Sequence, residues 1–82
     1  MNWKIFPNPA KDRVSILLNA EQSYHAVVEM TNHTGRGVYK QTMVVNSGFN
    51  LLHIKLPGLL PGVYYLRISD GKKTKVEPLV IH

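Results

Sequence analysis

The chain has no cysteine. Disulfides are therefore excluded, and so are zinc sites of the Cys₄ or Cys₂His₂ type. Acidic residues are scarce, with 5 Asp and Glu against 10 Lys and Arg in a chain only 18% charged. The few carboxylates are scattered, and Asp12, Asp70 and Glu77 fall at turns or strand ends, which leaves no paired-carboxylate arrangement for acid–base work. No Gly-rich loop has phosphate-binding spacing. No apolar run approaches the length of a membrane helix. No secretory apolar segment follows Met1, because Asn2, Lys4, Asn8, Lys11, Asp12 and Arg13 break up the start. Helical spacing is hard to find, and internal repeats, low-complexity segments and linkers are missing.

What remains is 82 residues, 44% of them apolar. That is one domain, and too apolar to be a disordered chain. A chain of this size buries only about 60–65% of the surface its unfolded form exposes, so a core of Val, Leu, Ile and Tyr must hold it together unaided. The formal charge is +5. The cations are spread as Lys4, Lys11, Arg13, Arg36, Lys40, Lys55 and Arg67, with one cluster at Lys72-Lys73 and Lys75. Such spreading reads as a solvated basic surface rather than a nucleic-acid site.

The chain reads as strands separated by turns. Trp3 to Phe6 is a first strand, stopped by Pro7-Asn8-Pro9, where each proline lacks an N–H and restrains the residue before it. Arg13 to Leu18 alternates, with Val14, Ile16 and Leu18 on one face, and Asn19 to Ser23 reads as a loop. Tyr24 to Thr31 places Tyr24, Ala26, Val28 and Met30 together. Asn32-His33-Thr34-Gly35 is a turn with Gly35 suited to positive φ. Gly37 to Val45 alternates poorly, as an edge or bulged strand does. After Asn46-Ser47-Gly48, the segment Phe49 to Leu56 puts Leu52, Ile54 and Leu56 inward.

A connection of Pro57-Gly58-Leu59-Leu60-Pro61 leads into Gly62 to Ser69, with Tyr64, Leu66 and Ile68 on one face. Asp70-Gly71 is the signature of a two-residue type I′ hairpin turn, and the last strand is expected from Lys72 to Ile81. Pro78 within it argues for a sheet edge or a bulge. Seven short strands at regular spacing predict an all-β, immunoglobulin-like antiparallel sandwich, with a small barrel as the alternative.

Candidates for chemistry are thin. His25, His33, His53 and His82 show no metal-ligand spacing and read as surface or terminal residues. Asn32-His33-Thr34 fits the N-glycosylation pattern, but it is an ordinary turn sequence before a glycine. Trp3, Tyr39, Tyr64 and Tyr65 could form an aromatic platform for sugars, but aromatics alternating in strands more commonly pack in the core or across strands.

The punctuation itself is informative. Phe6-Pro7-Asn8-Pro9-Ala10 is followed by an alternating strand, then by Thr34-Gly35-Arg36-Gly37-Val38, by Gly48-Phe49-Asn50, by Leu56 through Ile68 with its Leu-Pro-Gly-Val-Tyr segment, and by a Lys-rich turn into a terminal strand. In this order and at this length the chain resembles the C-terminal sorting domain of proteins exported by the type IX secretion system of Gram-negative bacteria.

The resemblance implies a non-catalytic transport address, spanning residues 1–82 and sited at the C-terminus of a larger secreted protein. It implies no cofactor. It implies a covalently linked N-terminal cargo, transit through the periplasm, and recognition by the translocon and shuttle proteins at the outer membrane. Delivery would be to the cell surface or beyond, with removal of the domain by a sortase-like peptidase. It gives the sorting motif as Pro7, Asn8, Pro9, Gly35, Arg36, Gly62 and Tyr64. It gives the export signal as the last strand, with Lys72, Lys73, Lys75, Val76, Leu79, Val80, Ile81 and His82. Relatives tend to close on a basic residue, whereas this chain closes on Leu79-Val80-Ile81-His82. An extracellular carbohydrate-binding or adhesion module on the same sandwich is the alternative. An edge strand carrying Pro78 further predicts homodimer formation through the terminal strand.

Overall fold

The computed structural model describes residues 2–82, so Met1, the first residue of the expected domain, lies outside it. Seven strands follow in order: β1 (Asn2–Phe6), β2 (Arg13–Ala20), β3 (Tyr24–Thr31), β4 (Gly37–Val45), β5 (Gly48–Lys55), β6 (Gly62–Ser69) and β7 (Thr74–Ile81). They form a three-stranded sheet of order β1-β2-β5 and a four-stranded sheet of order β4-β3-β6-β7, with every strand pair antiparallel. This is the expected immunoglobulin-like sandwich, with β4 adding a fourth strand beside β3.

Strict alternation makes the core. Val14, Ile16 and Leu18 of β2 and Leu52 and Ile54 of β5 project from one sheet; Ala26, Val28, Met30, Leu66, Ile68, Leu79 and Ile81 project from the other, and all are buried. Burying each of the larger side chains stabilises by roughly 1.5–3 kcal/mol. Apart from the Tyr64 hydroxyl, which is hydrogen-bonded, the core buries no polar or charged side-chain group among the described residues.

Both edges of the four-stranded sheet behave as their sequences suggest. In β4, Met30 faces Tyr39 while Thr31 faces Gly37, so Val38 has no opposite number and forms a bulge. In β7, Pro78 lies opposite Tyr65. Its carbonyl faces away from β6, where it accepts a bond from Asn8. A residue's N–H and C=O point the same way in an antiparallel strand, so the missing N–H also lies on the outer edge and no rung to β6 is lost.

Five boundaries differ from expectation, the first being that β1 begins at Asn2 instead of Trp3. β2 continues to Ala20 because Asn19 and Ala20 pair with Phe49 and Gly48, and β5 accordingly starts at Gly48. Leu56 falls outside β5, yet it is buried and its N–H donates to the carbonyl of Asp12 at 2.9 Å. The last strand starts at Thr74 instead of Lys72, since Ser69 pairs with Thr74 and leaves Asp70 to Lys73 as the turn. The cause is the Asp70 carboxylate, which accepts the N–H groups of Lys72 (2.8 Å) and Lys73 (2.7 Å) and so withdraws them from the ladder.

Leu66 sits fully buried in the central strand of the four-stranded sheet. Leu66→Ala is expected to lower the unfolding free energy in urea by about 2–5 kcal/mol. Lys40→Ala on the exposed edge is expected to change it by less than about 0.5 kcal/mol.

Candidate functional site

The segment after β1 does more than turn the chain. Pro7-Asn8-Pro9 leaves the three-stranded sheet, meets β7 of the other sheet, and returns to β2; its Phe6-Pro7 and Asn8-Pro9 bonds are both cis. At the crossing, the Asn8 carboxamide behaves as a short piece of strand. Its Nδ2 donates to the Pro78 carbonyl (3.2 Å) and its Oδ1 accepts from the Val80 N–H (3.0 Å). Ala10 continues the pattern: its N–H donates to the Val80 carbonyl (2.8 Å), and its carbonyl accepts from the His82 N–H (2.9 Å). Ala10 is buried and forms a parallel bridge to Ile81. The outer edge of β7 is thus clasped from Pro78 to His82, and Thr74 and Val76 lie beyond the clasp.

The strand registers show what gathers at this end. Ile81 pairs with Gly62, and Pro78, Tyr65 and Thr31 lie in one row. The Asn32–Arg36 turn follows Thr31 directly. The Asn32 Oδ1 organises it, accepting the N–H groups of Thr34 (3.0 Å) and Arg36 (2.9 Å) and the Thr34 hydroxyl (2.7 Å). Gly35 takes φ +86°, which glycine adopts without a Cβ clash. Tyr64 is buried, and its hydroxyl donates to the Leu60 carbonyl at 2.6 Å, tying the Leu-Pro-Gly connection to the core. Pro7, Asn8, Pro9, Gly35, Arg36, Gly62 and Tyr64 therefore occupy one end of the four-stranded sheet.

Lys72, Lys73 and Lys75 lie at the opposite end. The eight residues of β7 separate the two groups by roughly 25 Å, at about 3.3 Å per residue. All three lysines are exposed. Of the other positions expected to carry the export signal, Val76, Val80 and His82 are exposed, while Leu79 and Ile81 are in the core. The sequence reading missed Ala10, and it missed that Val63 and Tyr65 face Val80 and Pro78 across the outer surface. Alternation signals which face these residues take, but only the register shows their partners.

The Asp70 carboxyl is held below its usual value by the backbone N–H groups of Lys73 and then Lys72. Beside it, a cleft opens between the β2–β3 and β6–β7 turns, lined in part by Glu21, Ser23, Tyr24 and Lys73. Burial, followed by the charge of Asp70, pushes the Tyr24 hydroxyl up. No nucleophile and base meet in this cleft. A Ser–His contact does exist elsewhere, with the Ser15 Oγ 3.1 Å from the His53 Nδ1. It lies on an open sheet face, and no carboxylate bonds the ring among the described residues, so the orienting third group of a triad is missing. No group of three or more His, Asp or Glu converges among the described residues. The aromatics do not form a platform: Tyr64 is in the core, Tyr65 is on the outer face of β6, Trp3 packs against the core from β1, and Tyr39 lies on β4.

These features define a β-sandwich domain whose distinctive parts are its last strand and the clasp on that strand, and no catalytic constellation forms among the described residues. The chain belongs to the family described as "Secretion system C-terminal sorting domain", whose sequence pattern matches residues 4–82. It is a type IX sorting signal and not a catalytic domain. Such a domain directs export across the outer membrane to the cell surface or into the medium. Among solved structures the chain is similar to dimeric latent PorU from Porphyromonas gingivalis, with a TM-score of 0.70 and 18% identity over 96% of this chain. The matched part is 9% of the PorU chain, and the likeness is one of fold. No curated protein matches the chain in sequence.

Two tests address the strand ends. Asn8→Asp keeps an acceptor for Val80 but sets a carboxylate oxygen against the Pro78 carbonyl. Asn8→Asp and Asn8→Ala are both expected to speed amide exchange of Val80 by about tenfold, with the Ile68 amide unchanged, as expected for loss of bonds worth roughly 0.5–1.5 kcal/mol each. The Asp70 contribution is present above the unfolded carboxyl pKa, near 3.8, and fades as pH falls through the lower folded value. Protection of the Lys72 and Lys73 amides should therefore be lost in strong acid. In Asp70→Asn, which keeps the acceptor without the titration, it should not change over that range.

Proposed function

We propose that this domain is the transport address of a larger exported protein, joined to an N-terminal cargo and read in its folded form. The cargo passes through the periplasm, the translocon and shuttle proteins at the outer membrane recognise the domain, and a sortase-like peptidase removes it at the surface. The observation that carries this reading is the family match over residues 4–82.

The geometry narrows what a receptor can touch. Leu79 and Ile81 point into the core. They hold β7 in place, and the receptor reads Lys72, Lys73, Lys75 and Val76 together with the outward Val80 and the terminal His82. Pro7, Asn8 and Pro9 act by fixing the strand, and Gly35, Gly62 and Tyr64 by shaping the end against which it closes. Edge pairing with a partner strand is available at Thr74 and Val76. Self-pairing into a homodimer would use the same short stretch, because Asn8 and Ala10 occupy the rest of the edge.

The test is export of a periplasmic reporter fused ahead of residues 1–82, in a bacterium that has this secretion system. Deleting β7 is uninformative, since it removes two core residues. Lys72→Ala, Lys73→Ala and Lys75→Ala together with Val76→Ser leave the core intact. They are expected to cut export at least tenfold while the purified domain melts within a few degrees of the parent. Export at the parental level, or no export from the parent fusion, contradicts the proposal.

A further inference from the structure

The outer face of the three-stranded sheet is not an ordinary solvated surface. Register places Lys4, Leu17 and Leu51 in one row across β1, β2 and β5, and Phe6, Ser15 and His53 in the next. Asn19 and Phe49 pair at one end, Arg13 and Lys55 at the other. Phe49 is 79% exposed, Leu51 50%, Phe6 40% and Leu17 37%. Four large apolar side chains thus share one face, and single scattered ones would need no explanation.

The charges on this face are all of one sign. Lys4, Arg13 and Lys55 stand among the apolar residues, and no carboxylate projects from this side of β1, β2 or β5 among the described residues. Acids flank it at the ends of β2: Asp12 lies just before the strand, 3.8 Å from Arg13, and Glu21 just after it. The outer face of the other sheet also exposes apolar side chains, Val44, Val63, Tyr65, Val76 and Val80, but it differs in charge: Lys40, Glu29, Arg67 and Val76 form one row there, with both signs present.

We propose that the face of β1, β2 and β5 is a docking surface for a membrane rich in anionic phospholipid. A second copy of the chain is a poor occupant, because it would bring Lys4, Arg13 and Lys55 against their own kind. A folded protein partner normally engages through a shaped pocket filled by an anchor residue. The depression on this face is open and shallow, lined by Trp3, Lys4, Leu17 and Phe49 among others. A lipid surface needs no such complementarity. It takes protruding Phe and Leu side chains at the acyl boundary and draws the flanking cations to its headgroups. Docked in this way, the sandwich turns its other sheet, including β7, away from the bilayer. The proposal stands on the face alone and does not depend on the export reading.

The test is co-sedimentation of the purified chain with phosphatidylcholine vesicles and with vesicles that also contain phosphatidylglycerol. Binding is expected only to the anionic vesicles, and it should weaken as salt is raised. Phe49→Ser with Leu51→Ser should reduce partitioning about tenfold or more. Lys4→Glu with Lys55→Glu should reduce it by at least fivefold per cation, since each surface cation contributes roughly that factor. Lys40→Glu, on the mixed-charge face, should change it little. Circular dichroism checks that each variant folds; if the apolar pair does not, the charge pair and the Lys40→Glu control carry the test. Three results overturn the proposal: no binding to anionic vesicles, equal loss from Lys40→Glu, or vesicle-free self-association that Phe49→Ser abolishes.

Discussion

Leu79 and Ile81 are buried among the side chains of both sheets, on the strand that ends the chain. Withdrawing β7 would expose both and strip β6 of its whole outer partner. A small domain without disulfides has about 5–15 kcal/mol of stability in total, and two large apolar side chains account for roughly 3–6 kcal/mol of it. The strand proposed above to carry the sorting signal is therefore one whose loss would cost the fold a large share of its stability. This is why the proposal has the domain read as a folded body.

The rest of the architecture serves that constraint. An edge strand near a terminus would ordinarily fray and offer unpaired groups to other chains. Here the Asn8 carboxamide and the Ala10 backbone supply the bonds that a neighbouring strand would supply, and Pro78 presents no donor on that edge. The opposite end of β7 has no such clasp and carries the lysines, set by the Asp70 turn. One strand thus has a fixed apolar end and an accessible basic end. The two outer faces both expose apolar side chains and divide by charge, one carrying cations only and the other both signs.

Much of this was legible in the sequence because alternation is a local signal. The bounds of β3, β4 and β6 follow from residues such as Tyr24, Gly37 and Gly62, and the imperfect pattern around Val38 marked the bulged edge. What escaped depends on partners distant in sequence. Asn8 looks like a turn residue, and nothing near it announces bonds to Pro78 and Val80 some seventy positions on. Leu79 and Ile81 look like a readable tail until the β6 register turns them inward. Phe6, Leu17, Phe49 and Leu51 each look incidental alone, and only the pairing of β1, β2 and β5 makes them one surface. The Asp70-Gly71 signal was real as a turn, but the carboxylate's claim on two amides lengthened the loop beyond two residues.

Recognition of β7 in place can be tested by locking the strand to the fold. Val63 and Val80 face each other across β6 and β7. The Val80 N–H and C=O point outward to Asn8 and Ala10, which makes this a non-hydrogen-bonded pair. Such pairs have Cα atoms about 4.5 Å apart, within the range a disulfide spans. Since the chain has no other cysteine, Val63→Cys with Val80→Cys places a single bridge, formed in the oxidising periplasm. The measurement is export of a reporter carrying the bridged domain, compared with each single-cysteine variant. If β7 is read as part of the folded sandwich, the bridged domain is exported as well as the single variants. Export that fails when the bridge forms and returns when it is reduced would show that the strand must leave the fold to be recognised.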